Sequence, residues 1–237
     1  MITGLDFIWL PVENLDRARA FYQDTLGFAP AQLGGDGWAE YDLGEGPAVM
    51  LVRPSDQNPL VAAGSAASVG LAVKDFAGVT EAFRAQDKLK MDPFETDGCH
   101  GGPSVDSEGN SLVLHQRKDE PHRDRLVDFI VMPVENMARA RAFYEGTLGL
   151  TLDSEGRGIW AEYVLPDGSA LALFEGPGFE PAVGGGVGLR TPNLEAVFAR
   201  LKAEGFARGE DLVETPVCTL GLVRDSEGNA LVLHRHK

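Results

Sequence analysis

Apolar and polar positions follow two different periods along the chain, and the switch between them recurs. Asp6 to Val12 is a short apolar run that predicts a strand. Asn14 follows as a candidate N-cap, and Leu15, Ala18, Phe21, Tyr22 and Leu26 then recur at helical spacing until Gly27 ends the helix. Three strand-like runs come next: Ala29 to Leu33, Trp38 to Leu43 and Ala48 to Arg53. Gly-rich turns around Gly34-Gly35-Asp36-Gly37 and Gly44-Glu45-Gly46 separate them. Then the order restarts. Ser68 to Val73 predicts a strand, and Asp75 opens a helix with Phe76, Val79 and Phe83 on its apolar stripe. Strands follow near Pro93 to Thr96, Pro103 to Asp106 and Ser111 to Gln116.

This whole pattern is written twice. Phe7 to Phe28 (FIWLPVENLDRARAFYQDTLGF) returns as Phe129 to Leu150 (FIVMPVENMARARAFYEGTLGL), with 15 of 22 positions identical at an offset of 122. At the same offset Trp38-Ala39-Glu40-Tyr41 returns as Trp160-Ala161-Glu162-Tyr163. The closing stretch DSEGNSLVLH (Asp106 to His115) returns as DSEGNALVLH (Asp225 to His234) at an offset of 119. The expected fold class is therefore α+β, built from four βαβββ modules. A small sheet with a helix on one face cannot bury both faces alone, so modules should pair into two open barrels, each with a concave inner face able to hold a ligand. The expected division is a first domain at 1–118, a linker at 119–124 and a second domain at 125–237. The charged stretch Arg117 to Arg125 (RKDEPHRDR), with Pro121, supplies the linker. Which modules pair is not written in the sequence.

Strand alternation assigns faces. Leu112 and Leu114 suit the helix side, which turns Ser111, Val113 and His115 inward. Ala39, Tyr41 and Leu43 likewise leave Trp38, Glu40 and Asp42 inward, and Ile8, Leu10 and Val12 leave Phe7, Trp9 and Pro11. In the second half the same rule turns Phe129, Val131, Pro133, Trp160, Glu162, Val232 and His234 inward. Candidate ligand-binding residues are Trp9, Trp38, Glu40, His115, Trp160, Glu162 and His234. A Glu buried beside a His could serve as a general base, which keeps a metal-free enzyme open, whereas histidines at strand ends are commonly structural.

Composition narrows the partners. Lys and Arg number 21 against 36 Asp and Glu, a net charge of −15 that disfavours nucleic acid and anionic membranes. No run reaches the ~18 apolar residues of a membrane helix, and the start lacks signal-peptide character. Two cysteines, Cys99 and Cys218, fall at equivalent positions, which argues against their pairing and fits a reduced, cytoplasmic protein. Cys99 and His100 adjoin, but the second copy has Thr219, so a Cys-His nucleophile is not expected. The run from Gly184 to Gly188 lacks the Lys-Ser/Thr of a phosphate loop and reads as a flexible entry to a strand.

The P-V-E-N strand end, the A-F-Y helix, the T-L-G-F stop and the closing D-S-E-G-N-x-L-V-L resemble the vicinal-oxygen-chelate superfamily. That superfamily includes glyoxalase I, extradiol dioxygenases and the bleomycin-resistance proteins. The resemblance implies glyoxalase-like domains with metal ligands, where present, on the first, fourth, fifth and eighth strands of a cup. Here those positions fall on Phe7 and Phe129, Leu51 and Leu173, Ser68 and Gly186, and Val113 and Val232, which cannot assemble a transition-metal centre. The expectation is thus no metal and no cofactor, and a monomer or homodimer whose cup holds an apolar or aromatic small molecule for sequestration or detoxification. The alternatives are a metal-dependent lyase, isomerase or dioxygenase of that superfamily, in which at least two of His115, Glu40, His234 and Glu162 converge on one ion (His115 with Glu40, for example, in an unusual site), or a scaffold with filled cups binding a basic protein.

Overall fold

The computed structural model describes residues 1–54, 67–177, 181 and 184–237. Module one comprises β1 (Gly4–Pro11), α1 (Leu15–Ala20), β2 (Gln32–Gly34), β3 (Trp38–Tyr41) and β4 (Ala48–Val52). Module two comprises β5 (Ser68–Ala72), α2 (Phe76–Ala85), β6 (Phe94–Glu95), β7 (Cys99–Val105) and β8 (Ser111–Arg117). Module three holds β9 (Val127–Pro133), α3 (Met137–Arg141), β10 (Ser154–Gly156), β11 (Trp160–Val164) and β12 (Ala170–Phe174). Module four holds β13 (Gly186–Arg190), α4 (Leu194–Ala203), β14 (Val213–Glu214), β15 (Cys218–Arg224) and β16 (Ala230–His236).

Local chemistry sets these boundaries. The Asn14 side chain accepts from the Arg17 N–H at 2.9 Å, and Asn136 does the same for Arg139. Both α1 and α3 widen into one π turn, Phe21–Thr25 and Ala142–Thr147. The Leu26 N–H reaches back to the Phe21 carbonyl, and the chain leaves through Gly27 at φ +70°. The adjacent rings of Phe21 and Tyr22 are both buried there, as are Phe143 and Tyr144.

Strand pairing crosses the two halves. One eight-stranded sheet runs β14-β15-β16-β13-β1-β4-β3-β2 and the other β10-β11-β12-β9-β5-β8-β7-β6. Modules one and four thus share one sheet, and modules two and three the other. Antiparallel pairing of β1 with β13, and of β5 with β9, makes the two seams. The stretches 1–118 and 125–237 are repeats of sequence, and neither builds a sheet by itself.

Each half is united instead by its helices and by its closing motif. Phe21 packs edge-on against Phe83 of α2 at 5.7 Å, and Phe143 against Phe206 at 4.7 Å, so the helices fill the space between the convex faces of the two sheets. Asp106 is buried and accepts from the Tyr22 hydroxyl, the Asn110 amide and the Glu108 and Asn110 N–H groups. Asn110 also donates to the Pro11 carbonyl at 3.0 Å. Glu108 accepts from the N–H groups of Glu13 and Asn14 and forms a two-pronged pair with Arg17. Asp225, Glu227 and Asn229 repeat these contacts with Tyr144, Glu135, Asn136, Arg139 and Pro133. The most recognisable motif of the chain therefore works as a clamp between successive modules.

This clamp has a pH signature. Burial raises the Glu108 and Glu227 carboxyls, but the Arg17 and Arg139 guanidiniums and the adjoining N–H groups outweigh it and hold both below the usual Glu range. Their contribution is complete above the unfolded pKa and is lost as pH falls through the folded one. We expect the unfolding midpoint to hold from neutral pH to about pH 5 and to fall as pH drops below about 4.3, the unfolded Glu value. The Glu108→Gln/Glu227→Gln variant should show a shallower acid-side slope, and an unchanged slope in thermal melts would contradict the assignment.

Candidate functional site

The concave face of each sheet is a cup. Cup one, between modules one and four, has a volume of about 720 Å³; cup two, between modules two and three, about 910 Å³. Both fall in the range of small-molecule pockets. Trp9, Trp38, Glu40 and His234 line cup one, and His115, Trp160 and Glu162 line cup two. All seven candidate residues face a concavity, but in two groups. Glu40 and His115 lie in different cups, which removes the suggested site built on that pair; the histidines near Glu40 are His234 and His236.

The cup floor is aromatic because the facing strand gives way to it. Phe7 pairs with Gly188 and Trp9 with Gly186 across the β1–β13 seam. A Cβ on Gly188 would lie 2.6 Å from the Phe7 ring, and one on Gly186 would lie 2.4 Å from the Trp9 ring. Phe129 lies over Gly70 in the same way, with a distance of 2.5 Å. Gly186 and Gly188 are thus strand residues that seat the floor, not a flexible entry. In cup two the Trp9 position is Val131, and it faces Ser68 instead of glycine. Met50, Val52, Leu220, Leu222 and Val232 complete the apolar wall of cup one, and the exposed Val213 and Val217 stand at its mouth.

The positions that the resemblance marks for metal ligands need one correction. Leu51 and Leu173 are fully buried on the helix side. Pairing of Trp9 with Met50 shows that Met50 is the inward residue of β4; beside Val131, β12 presents Ala172. Cup one then gathers Phe7, Met50, Gly186 and Val232, whereas cup two gathers Phe129, Ala172, Ser68 and Val113. Ser68 is buried and hydrogen-bonded to Ser111 at 2.9 Å. One thioether and one engaged hydroxyl, in separate cups, do not make a site for a zinc-like or iron-like ion.

Each cup instead contains a His–Asp pair joining the two halves. His234 Nδ1 lies 2.6 Å from Asp6 Oδ2, and His115 Nδ1 lies 2.7 Å from Asp128 Oδ2. A carboxylate only accepts, so Nδ1 carries the proton in both rings. The remaining oxygens face guanidiniums: Arg190 lies 3.3 Å from Asp6 Oδ1, and Arg123 lies 3.3 Å from Asp128 Oδ1. The imidazoles stand edge-on to the floor, His234 to Phe7 at 5.4 Å and His115 to Phe129 at 5.0 Å.

Asp6 and Asp128 were not expected here, because plain alternation puts them with Ile8 and Ile130 on the helix side. The β1–β13 register slips between Leu5 and Phe7, and the Asp128 flank of β9 slips likewise against β5. Each aspartate is the extra residue of a bulge, which turns it inward. An Asp inside an apolar run in both copies (Leu5-Asp6-Phe7 and Val127-Asp128-Phe129) was the available signal.

Burial, with Asp42 adding to it, raises the Glu40 carboxyl, while His236 and His234 pull the other way. Cys99 and Cys218 are free thiols at the walls of separate cups, each beside a Thr hydroxyl, Thr96 and Thr215. His100 turns away to Phe76 of α2 with ring centroids 5.5 Å apart, so Cys99 has no imidazole partner there. Among the described residues no helix is long and apolar enough to cross a membrane.

Residues 126–233 match the Glyoxalase/Bleomycin resistance protein/Dioxygenase superfamily. Glyoxalase I from Zea mays has a similar structure: TM-score 0.69 at 19% identity, over 98% of this chain and 92% of that one. A "putative dioxygenase" from Bacillus subtilis subsp. subtilis str. 168 superposes with a TM-score of 0.71 at 12% identity, over 98% of this chain and 85% of that one. At such identities the likeness shows the fold alone. No curated protein matches the sequence.

Proposed function

We propose that this chain, whose residues 126–233 match the glyoxalase/bleomycin resistance/dioxygenase superfamily and whose first half repeats them, is a tandem member of that superfamily and holds an apolar or aromatic small molecule in cup one without a metal at the floor, as a sequestering or detoxifying binder. The observation that carries this reading is the pair of rings, Phe7 and Trp9, seated over Gly188 and Gly186. They give a flat ligand a stacking surface where a metal-dependent relative would present lone pairs. Trp38 closes one side, and Glu40 and the His234–Asp6 pair supply the few polar groups that orient a ligand. The raised Glu40 carboxyl stays protonated further up the pH range than a solvated one, and can donate a hydrogen bond.

Cup one is the better apolar container of the two. Val217 and Leu220 line it, whereas Asp97, Arg117, Lys118 and Asp119 stand around cup two. The duplication lets a single chain supply both modules of each cup.

The test is a fluorescence titration of chelator-treated protein with the uncharged probe N-phenyl-1-naphthylamine. Saturable binding with quenching of tryptophan emission is expected. Trp38→Ala should weaken it about tenfold, the loss of one large aromatic contact. Binding that appears only after a metal is restored would overturn the proposal.

A further inference from the structure

The two cups share one design but differ at one corner. In both, a bulge aspartate turns one oxygen to a guanidinium and the other to the imidazole of the last strand. Two residues further along that strand, each chain position faces a cysteine: His236 pairs in register with Cys218, and Arg117 with Cys99. His236 Nε2 lies 3.8 Å from Asp6 Oδ2, the same oxygen that His234 approaches at 2.6 Å, and the two imidazoles stand edge to face at 4.6 Å. Ligand atoms from Asp6, His234 and His236 all lie within 4.8 Å of one another, the one such group among the described residues.

We propose that the mouth of cup one binds a divalent transition-metal cation through Asp6, His234 and His236, and that cup two does not. Two imidazoles and a carboxylate form a donor set suited to zinc, cobalt, nickel or iron in their divalent states. Bond lengths of about 2.0–2.2 Å place such donors about 3–3.5 Å apart. The His234–Asp6 contact therefore opens by a few tenths of an ångström, and the His236 contact closes by a similar amount. His236 has room to make that move: its side chain is 67% exposed. With the metal on Nδ1, the neutral His234 ring carries its proton on Nε2. Arg190, on the outer oxygen of Asp6, orients the carboxylate, as outer contacts do for metal ligands.

Three protein donors leave coordination positions open to the cup. An oxygen or nitrogen lone pair on a bound small molecule could complete the shell. In cup two the third corner is the guanidinium of Arg117, which has no lone pair to offer and repels a cation. This site adjoins the aromatic floor, since His234 stands edge-on to Phe7 at 5.4 Å, but its donors are distinct from the rings that would stack on a ligand.

Titration of chelator-treated protein with cobalt(II) near neutral pH, read by its visible absorption and by metal content, tests the inference. The wild type should take up one equivalent. His236→Arg, which copies the cup-two corner, should bind at least about tenfold more weakly with an unchanged unfolding midpoint. Arg117→His should take up two equivalents. No uptake by the wild type, uptake that survives His236→Arg, or a single equivalent in Arg117→His would each overturn it. Probe titration of the cobalt-free protein reads the floor separately: probe binding without cobalt uptake sinks this inference alone, and the converse sinks only the small-molecule reading.

Discussion

Asp225→Ala lowers the stability of the chain by about 3–5 kcal/mol, a large share of the roughly 5–15 kcal/mol that holds a native protein together. The side chain is buried and accepts four hydrogen bonds, from the Tyr144 hydroxyl, the Asn229 amide and the N–H groups of Glu227 and Asn229. Alanine leaves these donors without the carboxylate; a stranded donor costs about 1–3 kcal/mol, and the total stays below four times that because the space left can relax or admit water. The clamp to α3 loosens with them. In thermal or urea unfolding, Asp225→Asn should lose less, since it keeps one acceptor oxygen. Asp106→Ala should resemble Asp225→Ala, because its contacts are the same ones in the other half. A loss below about 1 kcal/mol in either alanine variant would show that the closing motif is not the joint between modules.

The second large effect is expected at the floor. Gly188→Val puts a branched side chain 2.6 Å from the Phe7 ring, so the ring must tilt into the cavity. Overpacking of this kind costs about 3 kcal/mol, and the displaced ring should weaken naphthylamine binding in cup one by at least about tenfold. Phe7→Ala vacates the contested space. The Phe7→Ala/Gly188→Val double variant should therefore be more stable than the sum of the single losses by about 1–2 kcal/mol. Strictly additive losses would mean that glycine is needed there for some reason other than the ring above it.

Much of this architecture was legible in the sequence, for reasons the structure makes plain. Leu112 and Leu114 pack under the helices while Val113 and His115 face the cup, as alternation required, because one face of the sheet meets a core and the other a cavity. Trp38 and Glu40 face inward for the same reason. The β4 run Ala48-Val49-Met50-Leu51-Val52 is apolar throughout and has no parity of its own. Its inward residue, Met50, emerged only from the pairing with Trp9. A bulge is equally silent in the sequence, so alternation alone does not turn Asp6 and Asp128 inward. Module pairing was also unreadable. Four similar modules offer similar edges, and the crossing of the halves depends on β1 meeting β13 and β5 meeting β9. The motifs that carry the family resemblance mostly hold the frame, whereas, apart from Val113 and Val232 of the closing motif, the cups are lined by residues outside them or at their margins, such as Trp38, Met50 and Leu220. Resemblance therefore reports the fold more directly than the ligand.

The most direct measurement is a crystal structure of the chelator-treated protein grown with N-phenyl-1-naphthylamine. The account predicts the naphthyl ring lying on Phe7 and Trp9 beside Trp38, with its nitrogen toward Glu40 or His234 and no ion beneath it. A probe bound only outside the concave face, or an ion coordinated at the level of Phe7 and Val232, would contradict it.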